Sequence, residues 1–182
     1  MARTDNTMDI MNLQLTEGEN EEQLIIFNVG NEEFGLNVLI VQEIIRYTKP
    51  TRIPHASRYV EGVIDFRGEV IPVVNMRDKF GIEIGAANEL SVIIVVEYSG
   101  KVLGLVVDGV SDILNLPKEK IQPAPEFTSE EKTKYLRAMG KLNERLILIL
   151  DVEKILDLKE EKRLDELVSS LSKQNDQMAE ND

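Results

Sequence analysis

The sequence predicts a mainly β fold with two similar halves, brief helical turns and a C-terminal helix. Three observations carry this prediction. Short β-branched apolar runs recur between Glu22 and Leu150, separated by Gly, Asn and Asp turn residues. The strand-rich regions 22–80 and 91–157 follow a loosely similar order of hairpin, irregular Pro-containing chain, second hairpin and helical turn. Finally, Val70-Ile-Pro-Val-Val-Asn-Met-Arg77 and Leu146-Ile-Leu-Ile-Leu-Asp-Val-Glu153 each place an apolar strand before a polar residue and a short helix. The pattern fits a pseudo-repeated, two-lobe barrel arrangement that leaves few strand edges exposed.

Residues 1–21 are polar and acidic and read as a flexible leader. A hairpin opens the body, with Glu22–Val29 turning at Gly30-Asn31 into Phe34–Val38. In Leu39–Ile45 the abundant β-branched residues would equally suit a strand, but the spacing of Val41 with Ile45, and of Leu39 or Ile40 with Ile44, favours a turn or two of helix ending near Tyr47. Pro50 and Pro54 keep the next stretch irregular, and Ser57–Gly62 reads as a helical turn capped by Ser57 and stopped by Gly62.

The central hairpin follows, with Val63, Ile64 and Phe66 on one strand and Val70, Ile71, Val73 and Val74 on the other, joined at Arg67-Gly68-Glu69. Pro72 lacks a backbone donor and is expected at an edge or a bulge. Asn75–Gly81 is a short helix closed by Gly81, and Ile82–Glu89 a polar connection. Ser91–Tyr98 and Val102–Val107 are strands, Val110–Leu116 a third strand or an extended segment, and Pro117–Thr128 a loop anchored by Ile121. A helical turn begins at Ser129, and Leu136–Leu142 pairs with Arg145–Leu150. Asp151 caps a short helix through Leu156. Residues 158–172 are helical in period, with Leu164, Leu167, Val168 and Leu171 forming a stripe expected to pack on the body, and 173–182 form a flexible tail.

The chain has 182 residues, a formal charge of −12, no cysteine and one histidine. Disulfides and thiolate chemistry are excluded, and zinc sites built on Cys and His lack ligands. No apolar run is long enough to insert directly in a membrane, and the N-terminus has no export pattern. These features suit a cytoplasmic protein. The acidity lies mainly in the ends, with −5 over residues 1–22 and −3 over 159–182, which argues against general nucleic-acid binding.

No catalytic constellation stands out. His55 lies in a proline-flanked bend without spaced partners, and no glycine-lysine phosphate loop or dinucleotide fingerprint is present. Asp65, Glu69, Asp78, Asp108, Asp112 and Asp151 adjoin strands, where polar residues are ordinary. Binding is the better class. Arg46, Lys49, Arg52, Arg58, Arg67, Arg77 and Lys79 concentrate positive charge in the first half. Arg67, in a tight turn, serves either as an internal tie or as a partner contact.

Set beside Gly104-Leu-Val-Val-Asp-Gly-Val-Ser-Asp-Ile113, the central hairpin resembles that of the CheW-like family of bacterial chemotaxis coupling proteins. The family pattern Gly-x-x-Asn-Leu-Arg-Gly-x-x-(Ile/Val)-Pro-(Ile/Val)-(Val/Leu)-Asp-Leu-Arg runs from Gly62 to Arg77, with Asp65-Phe66 replacing Asn-Leu and Asn75-Met76 replacing Asp-Leu. Val38–Ile44 and Ile121–Phe127 also look like family segments, and the similarity spans residues 22–157.

The resemblance implies two intertwined five-stranded SH3-like barrels sharing a core. It implies a non-enzymatic adaptor, without cofactor or metal, that couples methyl-accepting chemoreceptors to the histidine kinase CheA in membrane-associated arrays. The kinase regulatory domain would use strand-edge apolar surface, and the helical receptor tip the groove between the lobes. Val41 and Glu43 match positions implicated in partner contacts, and Arg67 matches an arginine linked to coupling. The alternatives are a coupler for a pathway other than motility, a hydrolase using carboxylates near Asp108, and a structural homo-oligomer.

Overall fold

The computed structural model describes residues 20–82, 90–124, 134–156 and 162–171. Eleven strands in these residues form two sheets. Strands β1 (Glu21–Val29) and β2 (Glu32–Asn37) make the opening hairpin, with Phe27 opposite Phe34 and Gly30 at φ +63° in the turn.

The segment after β2 departs from the helix its spacing favours. Val38–Ile40 forms one 3-10 turn whose first residue is preceded by Asn37, which accepts a hydrogen bond from the Leu39 amide at 2.8 Å. Val41–Arg46 is then strand β3, with Ile44 opposite Ile94 of β6 (Val92–Tyr98). A bulge between Val41 and Glu43 interrupts the alternation of faces, so the apolar spacing imitates a helix. Sheet pairing of β-branched residues overrides that local signal.

Ser57–Gly62 is likewise not helical. The Val60 amide donates to the Ser57 carbonyl at 3.0 Å, and β4 (Val60–Phe66) begins there. Gly62 lies inside this strand at φ +150°, where a Cβ would stand 2.0 Å from the Thr51 carbonyl oxygen. The glycine admits the close approach of another chain segment and terminates nothing.

β5 (Glu69–Asn75) completes the central hairpin, and positive φ at Arg67 (+52°) and Gly68 (+84°) gives the turn the twist such pairs favour. β5 is interior, between β4 and β7 (Lys101–Val107), so Pro72 is not on an edge strand. It stands one residue before the parallel β5–β7 ladder begins at Val73 and Gly104, where β7 asks no donor of it. Helix α1 (Met76–Lys79) follows, its start held by Asn75 Oδ1 accepting from the Asp78 amide, and Gly81 takes φ +70°.

β8 (Gly109–Pro117) is the third strand of its region. The expected loop after Pro117 is instead a 3-10 turn, Lys118–Lys120, and strand β9 (Ile121–Pro123), because β10 (Leu136–Leu142) offers an edge for three residues to pair with. β10 and β11 (Arg145–Leu150) form the last hairpin, and Asp151 caps the 3-10 turn Val152–Lys154. The turn expected at Ser129, the Ile82–Glu89 connection beyond Ile82, the leader through residue 19 and the tail lie outside the described residues, while Glu21, expected in the leader, already pairs in β1. Residues 162–171 are the described part of helix α2, with Leu164 buried and Leu167, Val168 and Leu171 packed against the core.

One sheet has five strands in the order β3-β6-β7-β5-β4, the other six in the order β8-β1-β2-β11-β10-β9. Two five-stranded barrels were expected, and β9 gives one of the two sheets a sixth strand. Each sheet takes a hairpin from one half of the chain and its remaining strands from the other. The parallel contacts repeat, β5 on β7 and β11 on β2. So do the caps: Asn75 donates its amide to the Tyr59 carbonyl at 2.7 Å, and Asp151 donates to that of Tyr135 at 2.8 Å. The Lys79 ammonium joins the halves, 3.6 Å from the Tyr59 ring centroid and 4.8 Å from that of Tyr135.

Three apolar clusters explain the uninterrupted strands. Ile25, Phe27 and Val29 of β1 and Ile94 and Val96 of β6 face a core shared by both sheets. Leu24 and Ile26 face a second cluster with Leu116, Ile147 and Ile149. Ile93 and Val95 face a third with Ile71, Val73 and Val106. Strands buried on both faces lose the polar alternation that half-exposed strands display.

Candidate interaction surface

The five-stranded sheet curls so that its edges approach. After β3, the chain crosses to the opposite edge, where the Thr51 amide donates to the Val63 carbonyl at 2.9 Å and the Val63 amide donates back at 2.8 Å. The turn after β4 thereby comes to the side of β3. Arg67 Nη2 donates to Glu43 Oε2 at 3.1 Å, across 24 residues of sequence.

Local structure fixes this corner. The Gly68 amide donates to Asp65 Oδ1 at 3.0 Å, closing the turn, and the Arg67 guanidinium lies 4.9 Å from the Phe66 ring centroid. The Arg67 side chain is 61% exposed and that of Glu43 27%. The arginine thus pairs within the chain and keeps most of its surface in solvent. Two of the three candidate residues meet here. Val41 does not join them at the surface, because it is buried in the shared core on the other side of the β3 bulge.

The second arginine of the central motif is committed internally. Arg77 donates from Nε to Asp108 Oδ1 at 2.6 Å and from Nη2 to Oδ2 at 2.8 Å, and Oδ2 also accepts from the Gly30 amide at 2.7 Å. This fork holds the point where β7 passes into β8 and so changes sheet. The carboxylate imagined for hydrolysis near Asp108 is thus bound by a guanidinium and a backbone amide. Among the described residues no group of three or more His, Asp or Glu could hold a metal ion. His55 is exposed in a turn at φ +67°. Arg46, Lys49, Arg52 and Arg58 are exposed, whereas Lys79 is buried.

Two further features escaped the sequence reading. Arg145 donates to Glu33 Oε2 at 2.9 and 3.1 Å and reaches Asp112 at 3.2 Å, and the Glu33 hydrogen bond raises its already high pKa. Like Glu43–Arg67, this ties an edge strand, β8, to the turn end of a hairpin in its sheet. The likeness of Val70–Arg77 to Leu146–Glu153 was the available signal. Between the sheets lies a cleft of about 570 Å³ lined by Asn37, Leu39, Ile40, Tyr98, Arg137 and Asp151. Glu22 accepts from Asn37 Nδ2 at 2.9 Å and from Arg137 at its wall, and Leu39 is 61% exposed.

The sequence model of the CheW-like domain matches residues 23–160. The chain belongs to the CheW-like domain family. It is 40% identical over 149 residues to the chemotaxis protein CheW of Klebsiella aerogenes, covering 82% of this chain and 90% of that one. It is 34% identical over 140 residues to the CheW of Helicobacter pylori, covering 76% and 84%. The crystal structure of the scaffolding protein TtCheW from Thermoanaerobacter tengcongensis superposes with a TM-score of 0.72 at 28% identity, over 77% of this chain and 95% of that chain. The mainly β, two-sheet architecture is thus that of a CheW protein, and helix α2 lies beyond the span of the CheW-like match.

Proposed function

We propose that this CheW-like adaptor couples chemoreceptors to the histidine kinase CheA through the corner built by Glu43 and Arg67. The observation that carries the proposal is their meeting, as an exposed ion pair, at the edge strand of the five-stranded sheet. A guanidinium mostly in solvent beside an aromatic ring offers a planar donor set and apolar surface together, the combination found at interface anchors. Val41 serves the same surface from beneath, since its burial fixes the register of the bulge that presents Glu43.

The regulatory domain of the kinase pairs with the β3 edge, and the helical tip of a methyl-accepting chemoreceptor occupies the cleft between the sheets, where Leu39 offers apolar contact. Separate clusters within the curled sheets support reading each sheet as a small SH3-like barrel. Adaptor action needs no reacting group, because placing two partners in one complex changes their equilibrium whenever one state is bound better than another. No helix in the described residues is long and apolar enough to cross a membrane. Cytoplasmic partners would accordingly recruit the chain to the array.

The test is a pull-down with a soluble chemoreceptor cytoplasmic fragment and the CheA regulatory domain, singly and together. Retention of both in one complex supports coupling. Capture of the kinase domain alone points to a scaffold for another sensor, and a folded chain that binds neither overturns the proposal.

A further inference from the structure

Helix α2 packs over a junction between two strands, with Leu164 buried against the shared core. β5 and β7 pair from Val73 and Gly104 onward, and their earlier residues splay apart around a cleft of about 370 Å³. Val70, Pro72, Tyr98 and Val102 line it from the sheet, and Leu164 and Val168 from the helix. The other half repeats the splay where β2 and β11 begin, around a cleft of about 340 Å³ that includes Leu146, 52% exposed. Among the described residues no helix lines that second cleft.

The cover is lightly held. The described turns of α2 meet the body through an apolar stripe, and the helix depends on that packing. A polar tie to the sheet, Lys101 Nζ to Asp165 Oδ2 at 3.6 Å, has both side chains substantially exposed, at 41% and 65%, and such pairs contribute little. The stripe lines the cleft without filling it, and about 370 Å³ remains between helix and sheet. A helix with larger apolar side chains would fit better.

We propose that the cleft between the splayed starts of β5 and β7 is a helix-docking site, which α2 occupies in the free chain and yields to a partner's amphipathic helix. The occupying sequence states the chemistry required: apolar residues at the spacing of Leu164, Leu167, Val168 and Leu171, with an acidic residue after the first to meet Lys101. Gly68 and Glu69 line the same cleft, so exchange of its occupant takes place beside Arg67.

The test uses a fluorescent, hydrocarbon-stapled peptide with the sequence of residues 162–171 and three forms of the full chain. These are the wild type, a Leu167→Asp/Leu171→Asp variant that spoils the resident helix, and a Lys101→Cys/Asp165→Cys variant closed by a bismaleimide. The absence of native cysteines makes the crosslink selective. The peptide should bind the spoiled-helix variant about tenfold more tightly than the wild type, because only the emptied cleft is fully competent. It should not bind the crosslinked chain, and a Val168→Phe peptide should bind more tightly still. Equal affinity for all three forms, or none for a spoiled-helix variant that retains its β circular dichroism, overturns the proposal. If that variant does not fold, hydrogen exchange on the wild type decides: α2 amides should open well before the sheets, and exchange only with global unfolding would refute it.

Discussion

Glu43 and Arg67 meet at 3.1 Å although one lies on an edge strand of the five-stranded sheet and the other on the turn that follows the opposite edge strand. The ion pair therefore reports the curl of the sheet as well as joining two side chains. Glu43→Arg sets two guanidinium groups together at a half-exposed site. Folding stability should change by no more than about 1 kcal/mol in urea titrations, as for other solvent-accessible pairs. Affinity for the CheA regulatory domain should fall about tenfold in calorimetry, like the loss of an interface contact. The swap Glu43→Arg/Arg67→Glu should restore stability without affinity. Restoration of both would assign the pair a purely internal role.

Val41→Ala tests the other candidate. The side chain is 5% exposed within the shared core, so truncation should cost about 2 kcal/mol in chemical denaturation. Partner affinity per folded molecule should change much less than with Glu43→Arg. A large binding defect without loss of stability would place Val41 in the interface itself.

Two glycines of the central hairpin should respond differently to alanine. At Gly62 the new methyl would collide with the Thr51 carbonyl at 2.0 Å, while at Gly68 no atom lies within 4 Å. Gly68→Ala should cost about 1 kcal/mol of left-handed backbone strain. Gly62→Ala should cost clearly more and deprotect the Thr51 and Val63 amides in hydrogen exchange.

Arg77→Lys cannot reproduce the two-pronged contact with Asp108. Loss of a charge-assisted bond in this partly buried fork should lower stability by about 2 kcal/mol. Asp108→Asn should give a similar loss, and the double variant less than their sum, as expected for directly coupled residues.

Tyr47 donates to Glu61 Oε2 at 2.9 Å, and burial followed by that hydrogen bond raises its phenol pKa from 10.0 to about 12. The contribution to stability is present below pH 10, the unfolded value, and is lost as pH rises through 12, because unfolding then releases a phenol that ionises more readily. Ultraviolet titration should show a late-ionising tyrosine among the four, absent in Tyr47→Phe.

The hairpins were legible because their turns carry Gly, Asn or Ser, and the cap at Asp151 because its side chain acts within two residues. For β3 the residues suited strand and helix equally, and spacing favoured the wrong one. Its bulge breaks the two-residue alternation, and only pairing with β6, far along the chain, decides its conformation. The same limit applied to the site. The motif marked Arg67, but its partner Glu43 is chosen by the curl of a sheet that no local pattern encodes. Val41 and Glu43, neighbours in the motif, part company at the bulge: one enters the core and the other meets the arginine.

The exchange of hairpins between the halves has an evolutionary consequence. The five-stranded sheet needs β6 and β7 from the second half, and the six-stranded sheet needs β1 and β2 from the first. A crossover between related genes at the connection after Ile82 would therefore give both sheets mismatched strands. The repeat visible in the sequence is not a pair of interchangeable modules, and descent with modification must treat the domain as one inherited piece.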